Sequence, residues 1–273
     1  MIFCKELNKS YETKQEMFAE LKANKETIIG LKKAKLKNSD PISVYMRKNE
    51  AQKDATGNDV IGIGSTIYAV INTTNFFDSC GDVHLDGIWD ISIKDQKGKL
   101  YYIINHDLEI GKVIAYPNNV DANVVPLKWT DIGLTYPGAM QALVFSVKLT
   151  EATNKDALNA IIQKAPLQNS VRMGYITMAL CLDSEDPDDA TEKANWDKYL
   201  PMVANKEDAV ANAYMWAILQ AKIVTEGSAC LFGANEATPI LYSDPAGAGQ
   251  KQKEIIPEDS GCFEVSKLLT IFN

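Results

Sequence analysis

Five runs rich in β-branched, aromatic and aliphatic residues follow one another from Val60 onward: VIGIGSTIYAVI, LYYIINH, QALVFSVKL, VRMGYITMALCL and YMWAILQAKIV. Such residues suit the pleated, half-buried surface of a sheet, and the Gly, Pro, Asn and Asp clusters between the runs mark turns. The pattern predicts a mainly β body. Helical pieces interrupt it, with an acidic loop and one or two short helices over Ser184 to Asn212 and another helix over Asn154 to Gln163. The expected class is therefore mainly β with helices, an α+β fold. A chain of 273 residues with 46% hydrophobic content can bury a substantial core as one large domain with appendages.

Ahead of the β body, Thr13 to Glu16 has the T-x-x-E form of a capping box, and Met17, Phe18, Leu21, Ile28 and Ile29 recur at helical spacing on one face. This predicts an amphipathic helix in an N-terminal arm. Asn38 to Asp59 is polar and broken by Pro41 and Gly57, as a linker or loop would be. The expected organisation is an N-terminal helical arm and linker over 1–54, a β domain over 55–245, and a tail over 246–273 that carries one last apolar run, Cys262 to Phe272.

Charge and composition exclude several classes. The first 50 residues hold 11 basic and 7 acidic side chains (+4), and the remainder 17 and 29 (−12), which together give the net −8. An acidic body repels a phosphate backbone, so nucleic acid is not an expected partner of the main domain. Lys32, Lys33, Lys35 and Lys37 are expected on a solvated face, with contact to an acidic surface or nucleic acid as the other option. No run approaches the roughly eighteen apolar residues that span a bilayer, and the N-terminus lacks a signal-peptide core. A cytoplasmic start without membrane contact is expected. Five dispersed cysteines without a CxxC pair indicate reduced, packed thiols.

Local motifs for metal and phosphate chemistry are missing. Two histidines are too few for a His-rich zinc site, Gly62 and Gly64 make only a lone GxG within a strand, and DSEDPDDATE (Asp183 to Glu192) lacks the glycine and terminal glutamate of a calcium loop. No metal and no cofactor are expected. Nucleophilic catalysis remains, in which a base histidine must reach a Ser or Cys and be oriented by a third group. His106 ends the strand-like LYYIINH, where a strand meets a loop, and Ser170 opens another predicted strand. A strand-end histidine also has a purely structural reading.

Four blocks in order, NTTNFFDSCGDVHLDGIW, INHDLEIGKVIAYP, QNSVRMGYI and AKIVTEGSACLFGANEATPI, resemble the prohead (capsid-maturation) serine proteases of tailed phages, across roughly residues 17–241. Those enzymes are similar to the herpesvirus assemblins. The resemblance implies a closed β-barrel ringed by helices, preceded here by the helical arm, and an endopeptidase that trims phage scaffold and major capsid proteins, and itself, inside the immature head in the host cytoplasm. Assemblin-like enzymes act as dimers, which implies a homodimer. The family's histidine falls on His106, the serine of its "SVxM" strand on Ser170, and the acid of its E-G-S block on Glu226. The resemblance thus implies acyl transfer in the chain order His, Ser, acid, with separations of 64 (170 − 106) and 56 (226 − 170) residues that only a folded domain can close.

Within the same resemblance the D-S-x-G-D block is a turn, so Asp78, Gly81 and Asp82 are expected to brace the site, with Gly81 permitting a left-handed turn and Asp82 capping backbone donors. His84, at the place of the assemblins' second histidine, and Asp183 are alternatives to Glu226 as the third member. The chain departs from the pattern twice. Cys80 stands where histidine is frequent, which admits a Cys80–His106 pair, and Arg172 stands where glycine is frequent, beside the substrate pocket or oxyanion position. Two readings compete with the enzyme: a catalytically inactive protease fold serving as a structural head or scaffold component, and a plain β-rich binding domain.

Overall fold

The computed structural model describes residues 1–34 and 61–245. The expected linker, Lys35, Lys37 and the whole expected tail lie outside the described residues. In chain order the elements are β1 (Ile2–Cys4), β2 (Lys9–Tyr11), α1 (Lys14–Ala23), α2 (Lys25–Ala34), β3 (Thr66–Thr73), β4 (Asp82–His84), α3 (Asp90–Gln96), β5 (Tyr101–Ile104), β6 (Val113–Ala115), β7 (Val120–Lys128), β8 (Ala139–Lys148), α4 (Lys155–Ile162), β9 (Gln168–Leu182), α5 (Ala190–Tyr199), α6 (Lys206–Asn212), β10 (Tyr214–Cys230) and β11 (Ile240–Leu241). The architecture is mixed α+β, and each of the five apolar runs contains a strand.

Two larger sheets carry the fold. In one, β10 pairs antiparallel with β9 along nearly its whole length, while its other edge pairs parallel first with β4 and then with β5, and β6 extends the sheet beyond β5. The second sheet has the antiparallel order β11-β3-β8-β7. A short segment seams the two together. Pro239 bridges Gln168 of β9, Thr238 O accepts from Asn169 N–H at 2.9 Å, and Pro239 O accepts from Val70 N–H of β3 at 3.0 Å. The pairings among the described residues do not run into a closed ring.

Side chains from both sheets fill one core, including Ile71, Phe145, Val171, Met173 and Trp216. The closest approach is at Gly227. A Cβ there would lie 2.7 Å from Phe145 Cε2 and 2.9 Å from Ile71 Cδ1, and both of those side chains are buried. Only glycine fits without displacing the opposite sheet.

The N-terminal segment belongs to that same core. Met17, Phe18, Leu21 and Ile28 pack in one cluster with Tyr214 and Trp216. Where the periodicity predicted one helix there are two, because Asn24 ends α1 with its backbone N–H on Glu20 O at 3.1 Å and its side-chain amide on the same carbonyl at 2.9 Å. Thr13 caps α1 as expected, accepting from Glu16 N–H at 3.3 Å. The basic face expected to be solvated holds a buried cation instead. Lys32 is 8% exposed, with Nζ 2.6 Å from Asp82 Oδ1 and 3.0 Å from Glu6 Oε1. Those acids lie 50 and 26 positions away in the chain, which is why the local charge run concealed them.

Burial works against the Lys32 charge, but Asp82 and then Glu6 outweigh it and hold the ammonium well above the ordinary lysine range. A raised folded value means that the contribution is present throughout neutral pH and is lost only as pH rises through that value. Lys32→Met, which leaves both acids without this partner, is expected to destabilise the fold by roughly 3–5 kcal/mol in a urea unfolding series. Gly227→Ala is expected to cost about 1–3 kcal/mol in the same measurement, from overpacking against Phe145 and Ile71.

Candidate active site

Strand β10 positions the acid. Between the pairs Ile223–Met173 and Gly227–Val171, β10 carries Val224, Thr225 and Glu226 against Arg172 alone, and Thr225 adopts a left-handed φ of 72°. Such a bulge re-aims the side chain that follows it. The Glu226 carboxylate is fully buried as a result.

The histidine arrives from the neighbouring strand. Ile104 is the last residue of β5 in register, opposite Ala229, and the chain then curls through two consecutive left-handed residues, Asn105 (φ 51°) and His106 (φ 57°). His106 is buried, and its Nδ1 lies 2.7 Å from Glu226 Oε1. A carboxylate can only accept, so Nδ1–H donates, and in the neutral ring Nε2 bears the free lone pair. Nε2 is buried without a hydrogen-bond partner among the described residues, as is Glu226 Oε2. A histidine oriented by a buried carboxylate, with its far nitrogen bare, is the arrangement of a general base.

Ser170 lies on the same face of this sheet. It is the direct cross-strand partner of Ser228, two residues along β10 from Glu226, and side chains at that spacing share a face. Its neighbour Asn169 pins the strand. The Asn169 amide donates to Thr238 O at 2.8 Å and Pro239 O at 3.1 Å, while its Oδ1 accepts from Tyr102 O–H at 2.6 Å. Arg172 shares the Ser170 face by the same alternation, and its Nε is also buried without a partner among the described residues. The Ser170 hydroxyl is half-buried and makes no hydrogen bond within the described residues, so the serine-to-histidine link of a triad stands open. Catalytic hydrogen bonds of this kind often close only when substrate is bound.

The alternative third members have other partners. Asp183 pairs with Lys14 at 2.9 Å. Asp82 is buried against Lys32 and accepts from Tyr175 O–H at 2.7 Å. His84 sits against Tyr175, which belongs to the opposite face of β9 from Ser170 and packs in the core with Val171 and Met173. Its hydrogen bonds determine its tautomer. An indole N–H can only donate, so Asn72 Oδ1 accepts from Trp89 at 3.3 Å and the Asn72 NH₂ faces His84 Nδ1 at 2.9 Å. Tyr175 gives its one proton to Asp82, so at 3.2 Å from His84 Nε2 it accepts, and Nε2 carries the ring hydrogen. His84 and Ser170 also border one narrow cavity of about 30 Å³, lined in addition by Asp78 and Asn72.

In the turn after Phe77 the backbone cap expected of Asp82 is made by Asp78, which accepts from Cys80 N–H at 2.8 Å and Asp82 N–H at 2.9 Å. Gly81 is left-handed (φ 77°). Comparison with protein-family models, curated proteins and solved structures finds no match to this chain. No group of three or more potential metal ligands occurs among the described residues.

One residue escaped the sequence reading. Ser228, whose hydroxyl touches the His106 backbone, stands in the E-G-S block from which only Glu226 was taken. Its two-residue spacing from Glu226 was the available signal. In ¹⁵N-detected NMR of the imidazoles, the two histidines are expected to show opposite neutral tautomers, with Nδ1 protonated in His106 and Nε2 in His84. The same tautomer at both would contradict the assigned bonds.

Proposed function

We propose that this chain is a serine endopeptidase of the phage prohead type, cleaving scaffold and major capsid proteins, and itself, by acyl transfer. The observation that supports this reading best is the buried His106–Glu226 pair, with its bare Nε2, on the same sheet face as Ser170. The preceding resemblance supplies the substrate class, the place of action inside the immature head in the host cytoplasm, the homodimer, and an architecture in which the sheets close as an assemblin-type barrel ringed by helices. The seam at residues 238–241 is consistent with that closure.

In the proposed reaction His106 Nε2 takes the Ser170 hydroxyl proton as the oxygen attacks the scissile carbonyl. Glu226 holds the imidazole in the tautomer that leaves Nε2 available and offsets the charge of the imidazolium. The proton then passes to the departing amine as the C–N bond breaks; a water, deprotonated by the same nitrogen, attacks the acyl-enzyme, and the proton returns to Ser170 Oγ as the acyl–oxygen bond breaks. In this reading Arg172, whose buried Nε has no partner among the described residues, donates to the developing oxyanion.

A second reading, an inactive protease fold kept as a head or scaffold component, draws on one observation. The Ser170 hydroxyl makes no bond to His106. Reaction with a fluorophosphonate, which labels only activated serines, separates the two. Peptide mass spectrometry is expected to find the adduct on Ser170, with labelling abolished in Ser170→Ala and His106→Ala and reduced by about 10⁴ in Glu226→Gln. Co-expressed scaffold protein is expected to be trimmed by the wild-type chain and not by Ser170→Ala. A folded wild-type chain that neither labels nor trims is the inactive form.

A further inference from the structure

We propose that Ser228 is a positioning residue that holds His106 in its catalytic orientation, an inference that rests on the reading of His106 as general base. Past Ile104 the ladder between β5 and β10 continues for one more bond, Asn105 N–H to Ala229 O at 2.9 Å. At the next residue the backbone has turned away and no main-chain acceptor serves the His106 N–H. Ser228 Oγ takes it at 2.8 Å, and the same hydroxyl faces Ile103 O at 3.2 Å as its acceptor. Ser228 is wholly buried, so no water competes for either bond.

The turn that Ser228 clasps is unfavourable on its own. Asn105 and His106 are consecutive residues with φ of 51° and 57°, and a Cβ makes this region costly, least so for asparagine. Backbone in such a state persists only where its surroundings over-determine it. The turn also accomplishes something specific. It reverses the direction of the histidine, so that the ring lies back along β10 and meets Glu226, two residues before Ser228 on the same strand face. One hydroxyl therefore fixes the backbone from which the ring projects, and the carboxylate two residues away fixes the ring. A serine present only to satisfy a buried N–H would influence stability alone. A positioning serine also sets where Nε2 points, and small displacements of a general base carry large rate penalties.

The test uses the full chain with Ser228→Ala, read three ways: the fluorophosphonate labelling rate at Ser170, the ¹⁵N signature of the His106 ring, and the thermal melting transition. Labelling is expected to slow about tenfold, together with loss of the single Nδ1-protonated signature. A fall of less than threefold, or an unchanged ring signature, overturns the proposal and leaves Ser228 a purely structural role. Should Ser228→Ala show no melting transition, Ser228→Cys, which keeps the size but offers a weak acceptor, is judged by the same criteria. If the wild-type chain does not label at all, the enzyme reading fails, and the ring signature by itself decides whether Ser228 orients His106.

Discussion

A long, largely buried strand must find partners for its N–H and C=O groups on both edges, and the seventeen residues of β10 form such a strand. One edge is served by β9 in an antiparallel ladder interrupted by register shifts between Ile218 and Ala221 and between Ile223 and Gly227. The other is served in two instalments, by β4 opposite residues 216–218 and by β5 opposite residues 226–229. Between them the ladder has a gap, where Ser92 of α3 accepts from Ile223 N–H at 2.7 Å. The chain leaves the edge after β4, returns through α3 and rejoins it as β5, which brings the end of β5 alongside Glu226. The place of His106 follows from how β10 satisfies its backbone.

The same sheet carries buried ionic groups on both faces. On one, Glu226 is removed from water and meets His106; on the core side, Lys32 lies between Asp82 and Glu6, and Tyr175 links Asp82 to His84. Burial of charge is costly, and a buried pair adds little net stability over a well-packed apolar substitute. What such groups do provide is a requirement for one geometry, since each loses heavily when its partner is misplaced. Lys32 ties the N-terminal segment to the strand that bears His84. Glu226 leaves the His106 ring one favourable tautomer.

The strands were legible because their composition is uniform over long stretches. Elements that mix their signals were not. Strand β7, VDANVVPLK, contains Pro126 and three polar residues, Asp121, Asn123 and Lys128, and it forms because as an edge strand it needs only one paired side. Helix α3, DISIKDQ, follows directly on the block that ends at Trp89 and was not expected. The break between α1 and α2 depends on one asparagine that bonds its own preceding turn. For the site, composition pointed only to a histidine and a serine at strand ends, and their assignment with Glu226 came from a resemblance of blocks. The left-handed turn at Asn105 left no local trace, since nothing in the letters N-H signals a positive φ, and Ser228 offered only its two-residue spacing from Glu226.

The five main strand runs, the mixed class and the residue types available for acyl-transfer chemistry were set by the sequence itself, through period, punctuation and the limited supply of histidine. Which acid faces which histidine was decided by the tertiary structure. Glu226, Asp82 and Asp183 are equivalent as letters, but strand register and one bulge place only Glu226 beside His106, while Lys32 and Lys14 occupy the other two. Hydrogen bonds act over about 3 Å, whereas the separations along this chain run to 120 residues between His106 and Glu226. Only packing converts the second distance into the first.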